Sequence, residues 1–153
     1  MSLCGRIEVA VETNIPAEKL HELLSSSLPQ LSCMSPAKIQ AVHLLKGEWG
    51  KAGSTICWNY TFEGASTIAK EVIEDIDNMK LSTTFKVIEG DLMEAYKSFK
   101  IIHQATPKGE GSVVHWKLIY EKENENIPAP TALLDYLADF TKDMNAYLTQ
   151  GQT

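Results

Sequence analysis

The chain has 153 residues, 44% of them hydrophobic and 22% charged, the balance of one globular domain over residues 1–153 and not of a disordered segment. At this length folding buries about 70% of the unfolded surface, so a core needs neither metal nor disulfide. Lys and Arg number 14 against 20 Asp and Glu, and the net charge of −6, with no basic patch to offset it, argues against a nucleic-acid partner.

Residues 3–13 alternate, with Ile7, Val9 and Val11 on one face and Arg6, Glu8, Ala10 and Glu12 on the other, which predicts a half-buried strand. Asn14-Ile15-Pro16 stops it. Pro16 suits a helix start, and Leu20, Leu23 and Leu24 carry helical spacing to about Ser27. Residues 28–35 are too broken by Pro and Ser for more than another short helical turn.

From Lys38 strand follows strand, near 38–46, 53–61, 66–76, 81–88, 92–104 and 112–122. The joints carry turn chemistry: Gly47-Glu48-Trp49-Gly50, Glu63-Gly64, Asp77-Asn78, Glu89-Gly90-Asp91 and Pro107-Lys108-Gly109-Glu110-Gly111. Such short connections imply antiparallel hairpins. After Pro128-Ala129-Pro130, residues 131–148 read as one long helix with a stripe of Leu133, Leu137, Phe140, Met144 and Leu148, broadened by Tyr136 and Tyr147. The predicted fold is α+β: a seven-stranded curved antiparallel sheet, two short helices, and one long C-terminal helix on one face.

A helix about 10–12 Å across cannot cover seven strands spaced about 4.8 Å apart unless the sheet curls around it, and a curled sheet can leave space inside. The alternation puts Ile56, Trp58 and Tyr60 on one face of their strand, Thr83 and Phe85 on another, and Val114, Trp116, Leu118 and Tyr120 on a third. These aromatics suit either a ligand pocket or an ordinary core with local hydrogen bonds. For strand 92–104 periodicity does not decide: Tyr96, Ser98, Lys100 and Ile102 share one face, while Met93, Ala95, Lys97, Phe99, Ile101 and His103 form an equally apolar alternative.

The run Gly47-Glu48-Trp49-Gly50-Lys51-Ala52-Gly53-Ser54 with Trp58-Asn59-Tyr60 resembles the glycine-rich loop and next strand of plant major latex proteins. Ala69-Lys70-Glu71, Thr84-Phe85-Lys86-Val87-Ile88-Glu89-Gly90-Asp91-Leu92, Tyr96-Lys97 and Tyr120-Glu121-Lys122 extend that resemblance, in order, over nearly the whole chain. Major latex proteins group with the birch pollen allergen and the pathogenesis-related class-ten proteins. The resemblance implies their helix-grip (START-like) fold with a large cavity between sheet and C-terminal helix. It also implies that Tyr96, Ser98, Lys100 and Ile102 face inward and that His103 and His115 face out.

Family members mostly bind hydrophobic or amphipathic molecules, and many are associated with plant defence and stress. A minority, norcoclaurine synthase among them, are enzymes of specialised metabolism. The expected partner is therefore a fatty acid, lysophospholipid, steroid, phenolic, terpenoid or alkaloid. It would be held against Ile56, Trp58, Tyr60, Thr83, Phe85, Val114, Trp116 and Leu118, with Leu133, Tyr136, Leu137, Phe140 and Met144 as the roof. Ile102 would line the same pocket, and polar orientation would come from Tyr96, Ser98, Lys100 and Glu71. Lys70 or Glu71 faces in, depending on where its strand bulges.

An inward Lys100 is desolvated, with a lowered pKa that suits a general base or an anion partner, or else it snorkels to the cavity mouth or pairs with Glu71. If the protein is an enzyme, it is a cofactor-independent isomerase, cyclase or lyase with Lys100, Tyr96 and Glu71 as acid–base groups. A third reading makes it a ligand-gated partner of another protein, with the glycine loop as gate.

The loop matches no Walker pattern and opens no helix, so it reads as a rigid hairpin and not a phosphate cradle. No HExxH, paired CxxC or Ser-His-Asp arrangement occurs, so no cofactor and no metal are expected. Cys4, Cys33 and Cys57 lack ligand spacing and close no disulfide framework, which fits reduced thiols. With no signal-peptide pattern and no membrane-length apolar run, the expectation is a cytoplasmic protein without membrane insertion, monomeric or weakly dimeric.

Overall fold

The structure, a computed structural model, describes residues 3–150. Its strands are β1 (Cys4–Thr13), β2 (Ile39–Lys46), β3 (Thr55–Phe62), β4 (Ala65–Asp77), β5 (Ser82–Gly90), β6 (Tyr96–Lys108) and β7 (Gly111–Lys122). They form one antiparallel sheet in the order β1-β7-β6-β5-β4-β3-β2. Successive hairpins run from β2 to β7, and β1 closes the far edge by pairing with β7, Cys4 opposite Glu121 and Thr13 opposite Ser112.

Between β1 and β2 lie α1 (Ala17–Leu23), a 3₁₀ turn (Leu28–Gln30) and α2 (Leu31–Met34). Pro16 precedes α1 with its fixed φ of −56°, and Leu20, Leu23 and Leu24 are all at most 2% exposed, the buried side of a two-turn amphipathic helix. The long helix α3 (Thr131–Gln150) packs on the sheet against β1 and β7 and touches α2. Leu133, Phe140 and Met144 are buried there as the stripe requires, joined by Leu134, Ala138 and Thr141, whereas Tyr147 is exposed. The chain adopts the α+β arrangement expected from the alternation, and with it the helix-grip fold that the resemblance implies.

One irregularity changes the inward face of β6. The pairing with β7 runs Tyr96–Lys122, then Ser98–Glu121 and Phe99–Tyr120, so one extra residue enters β6 between Tyr96 and Ser98. Because side chains alternate with period two, a single-residue bulge exchanges the faces of all that follows. Tyr96 points in, and beyond the bulge so do Phe99, Ile101, His103 and Ala105, all buried.

The inward placement expected for Ser98, Lys100 and Ile102 is thereby corrected: they lie on the outer face, where Lys100 Nζ pairs with Glu74 Oε1 of β4 at 2.9 Å. The outward placement of His103 is corrected in the same stroke, since it is completely buried; His115 on β7 is exposed as expected. Residues 92–94, expected as the start of this strand, lie instead in a 3₁₀ turn that spans Asp91–Glu94.

Candidate functional site: a cavity between sheet and long helix

Between the sheet and α3 a cavity remains that is partly open to the surface, with about 80 Å³ of room for the centres of water-sized spheres. One water requires about 10–15 Å³ on that measure, so several waters or the body of a small organic molecule fit. Every layer contributes to the wall. The sheet supplies Trp58, Tyr60, Ala69, Glu71, Phe85, Ile101 and Trp116; α3 supplies Leu133, Tyr136, Leu137 and Phe140. Leu24, Leu28 and Leu31 close it from the α1–α2 segment, with Ile39 and Leu92 at its sides.

Most polar groups on this wall are already engaged. The Trp116 indole N–H donates to Thr141 Oγ1 at 2.8 Å, and Thr141 in turn donates to the Leu137 carbonyl at 2.8 Å. The Tyr136 hydroxyl donates to the Lys38 carbonyl at 2.8 Å, tying α3 to the start of β2. Burial, with the Asp143 charge nearby, pushes that phenol above its ordinary pKa. The same junction is held from the outside, where Asp143 Oδ2 accepts from Ser35 Oγ and Lys38 Nζ, each at 2.7 Å.

Glu71 stands apart. The alternation of β4 carries Thr67, Ala69, Glu71 and Ile73 to the inward face, which settles Glu71 over Lys70; Lys70 pairs outside with Glu89 at 2.9 Å. The Glu71 side chain is 4% exposed, and its Oε1 accepts the Trp58 indole N–H at 2.8 Å. Its Oε2 has no hydrogen-bond partner among the described residues. Burial pushes the carboxyl up from 4.5 to about 7, and the Trp58 hydrogen bond offsets only part of that. The Tyr60 hydroxyl likewise has no hydrogen-bond partner among the described residues, and burial, followed by the Glu71 charge, drives its pKa well above 10.0.

The sequence placed more residues at the cavity than reach it. Ile56, Thr83, Val114, Leu118 and Met144 are buried but sit in the surrounding core. Tyr96 is buried against Phe99 and Tyr120, off the wall, and its hydroxyl donates to the Pro128 carbonyl at 2.8 Å. Lys100 is outside, so of the three proposed acid–base groups only Glu71 lines the cavity.

Leu24, Leu28, Leu31, Ile39, Ala69, Leu92 and Ile101 were missed. Two signals pointed to some of them: the helical spacing of Leu24, Leu28 and Leu31, and the position of Ala69 two residues before Glu71 on one strand face.

A second buried polar cluster lies beside the cavity, under α1. His103 Nε2 donates to the Leu24 carbonyl at 3.2 Å, and its ring lies 5.7 Å from that of His21, whose Nε2 donates to Asn78 Oδ1 at 2.9 Å. The second ring nitrogens of both histidines, and the hydroxyl of Thr83 opposite His103, have no partner among the described residues. Burial, with His21 as the nearest titratable neighbour, lowers the His103 pKa from 6.5 to about 3.

The glycine loop is a turn. Gly47, Gly50 and Gly53 take φ of +93°, +81° and +91°, Ser54 Oγ bridges back to Glu48 N at 3.0 Å and Glu48 O at 2.7 Å, and Lys51 pairs with Glu48 at 2.9 Å. Among the described residues no group of three or more His, Cys, Asp or Glu is placed to hold a metal, and no helix is long and apolar enough to cross a membrane.

A sheet gripping one long helix around an apolar cavity defines the helix-grip class. The chain belongs to the pathogenesis-related protein Bet v 1 family, whose model matches residues 2–151. Within that family it goes with the major latex-like proteins: it is 42% identical over 149 residues to MLP-like protein 31 of Arabidopsis thaliana, covering 96% of this chain and 87% of that protein. The structure of ginseng major latex-like protein 151 from Panax ginseng superposes with a TM-score of 0.91 at 39% identity, covering 94% of this chain and 97% of the other. Norcoclaurine synthase from Thalictrum flavum, solved with dopamine and hydroxybenzaldehyde, shares the fold with a TM-score of 0.78 at 16% identity, covering 97% of this chain and 88% of the other.

Proposed function

We propose that this protein encloses one hydrophobic or amphipathic small molecule in the cavity between sheet and α3, and does so in the cytoplasm as part of plant defence or stress responses. The observation that carries the reading is a cavity walled by apolar side chains of the sheet, the α1–α2 segment and α3, with a single carboxyl inside. A void of that size, left dry and empty, forfeits dispersion contacts that a ligand restores. Burying about 300 Å² of ligand apolar surface supplies roughly 7 kcal/mol before association costs. The cavity is framed by hydrogen-bonded elements, so little of that is spent on ordering the protein.

Native and denaturing mass spectrometry of protein purified under mild conditions from its natural source tests this. A stoichiometric apolar metabolite released on denaturation supports carriage. A protein that stays ligand-free there, and binds no apolar compound when titrated, contradicts it.

One observation favours a second reading, a cofactor-independent enzyme of specialised metabolism. A carboxyl held near neutrality in an apolar pocket can both give and take a proton at physiological pH. With Lys100 outside and the Tyr96 hydroxyl engaged by Pro128, that chemistry falls to Glu71 alone. Turnover of a candidate substrate abolished in Glu71→Gln, with affinity retained, would establish it; equal loss of both, or of neither, would rule it out.

A further inference from the structure

The proposed ligand site has one polar end, and its composition restricts what can lie there. Trp58 donates to one Glu71 oxygen, leaving Oε2 as an open acceptor. The Tyr60 hydroxyl on the neighbouring strand is also unengaged. Among the described residues the cavity wall carries no Lys, Arg or His. Cations at hand are held elsewhere: Lys38 by Asp143 and Lys100 by Glu74, both outside the cavity.

Resting on the reading of the cavity as a ligand site, we infer that Glu71 makes this pocket selective for molecules whose polar end is a hydrogen-bond donor, a hydroxyl or a protonated amine, and rejects those ending in a carboxylate. A donor satisfies Oε2, which lines the cavity side of Glu71 with no hydrogen-bond partner among the described residues. An ammonium does so with charge assistance. A carboxylate meets a second carboxylate in a poorly solvated space with no cation between them, so one of the two must take up a proton or the ligand must leave. The net charge of −6 adds a long-range bias of the same sign. Fatty-acid anions, among the ligands the sequence allowed, are therefore the poorest fit, and neutral alcohols, phenols and amines the best.

Three compounds with one apolar body test this: 2-naphthol, 2-(aminomethyl)naphthalene and 2-naphthoate, titrated calorimetrically into the full-length protein at pH 8, where Glu71 is mostly ionised. Expected is at least tenfold tighter binding of the amine and the phenol than of naphthoate. In Glu71→Gln the amine-to-naphthoate ratio should fall at least tenfold. In the wild type naphthoate should tighten, and the amine weaken, as the pH drops through 7. Binding of all three within threefold, naphthoate tightest, or an amine-to-naphthoate ratio unchanged in Glu71→Gln overturns the inference while leaving the cavity a ligand site. The wild-type ranking and its pH dependence stand as readouts even if the variant fails to fold. Failure of all three to bind overturns both the cavity reading and the selectivity built on it.

Discussion

Two buried groups with opposite displacements make the pH dependence of stability a sharp test of the interior. The folded Glu71 carboxyl keeps its proton up to about pH 7, whereas in the unfolded chain it loses it near 4.5. Between those values the folded state holds one more proton than the unfolded state, so Glu71 alone makes stability fall as pH rises. His103 does the reverse: unfolded it takes a proton near 6.5, folded it refuses one until about pH 3. Across that span His103 alone makes stability fall as pH drops.

Each proton of difference is worth about 1.4 kcal/mol per pH unit. In the overlap from about pH 4.5 to 6.5 the two slopes oppose each other, and the wild type should be nearly flat there. Asp77 and Asp143 are held below the ordinary carboxylate range and titrate beneath this window.

Removing either partner exposes the other. His103→Gln keeps a donor for the Leu24 carbonyl, and its stability should rise by about 2–3 kcal/mol on going from pH 6.5 to 4.5. Glu71→Gln keeps an acceptor for the Trp58 indole, and its stability should fall by about 2–3 kcal/mol over the same span. Urea unfolding followed by tryptophan fluorescence at half-unit pH steps reads both. Profiles parallel to the wild type in the two variants would refute the placement of these groups and the linkage drawn from it.

Other positions give further expectations. Thr141→Val is nearly isosteric but leaves the buried Trp116 indole N–H without its acceptor, and should lower stability by about 1–3 kcal/mol, read as a shift of the urea midpoint at constant m-value. Gly90 has φ +126°, and a β-carbon there would lie 2.2 Å from the Ile68 carbonyl oxygen across the β4–β5 pair. Gly90→Ala should cost about 2 kcal/mol or more and lower the melting temperature by several degrees; an unchanged melt would show that the backbone relaxes freely at this turn.

The fold was legible because each level of the sequence agreed. Seven runs of alternating hydrophobicity were separated by Gly, Asn and Asp turns, and a single uninterrupted helical stripe followed Pro130. The inward faces of β3 and β7 were legible for the same reason: Ile56, Trp58 and Tyr60 alternate with Cys57 and Asn59, and Val114, Trp116 and Leu118 with His115 and Lys117.

Strand β6 was not legible. Its two faces are matched in hydrophobicity, and the inward set changes parity at the Tyr96–Ser98 bulge, so that Tyr96 and Phe99, three residues apart, share a side. No straight-strand register reproduces that, and the family resemblance chose the wrong face for Lys100. Glu71 was read as one of two candidates because neighbouring Lys70 is equally polar. Only the inward run of Thr67, Ala69, Glu71 and Ile73 distinguishes them, and a carboxylate amid that run is what pattern rules read as an outward position.

The most direct test of cavity binding is titration with the neutral apolar fluorophore N-phenyl-1-naphthylamine, in the wild type and in Ala69→Phe. Ala69 lines the wall and is 3% exposed, so an added phenyl ring projects into the space a ligand needs. The wild type should show saturable one-to-one binding with blue-shifted emission, and Ala69→Phe, folded by circular dichroism, should lose it at least tenfold. No saturation in the wild type, or equal binding by the folded variant, would contradict the assignment of this cavity as the ligand site.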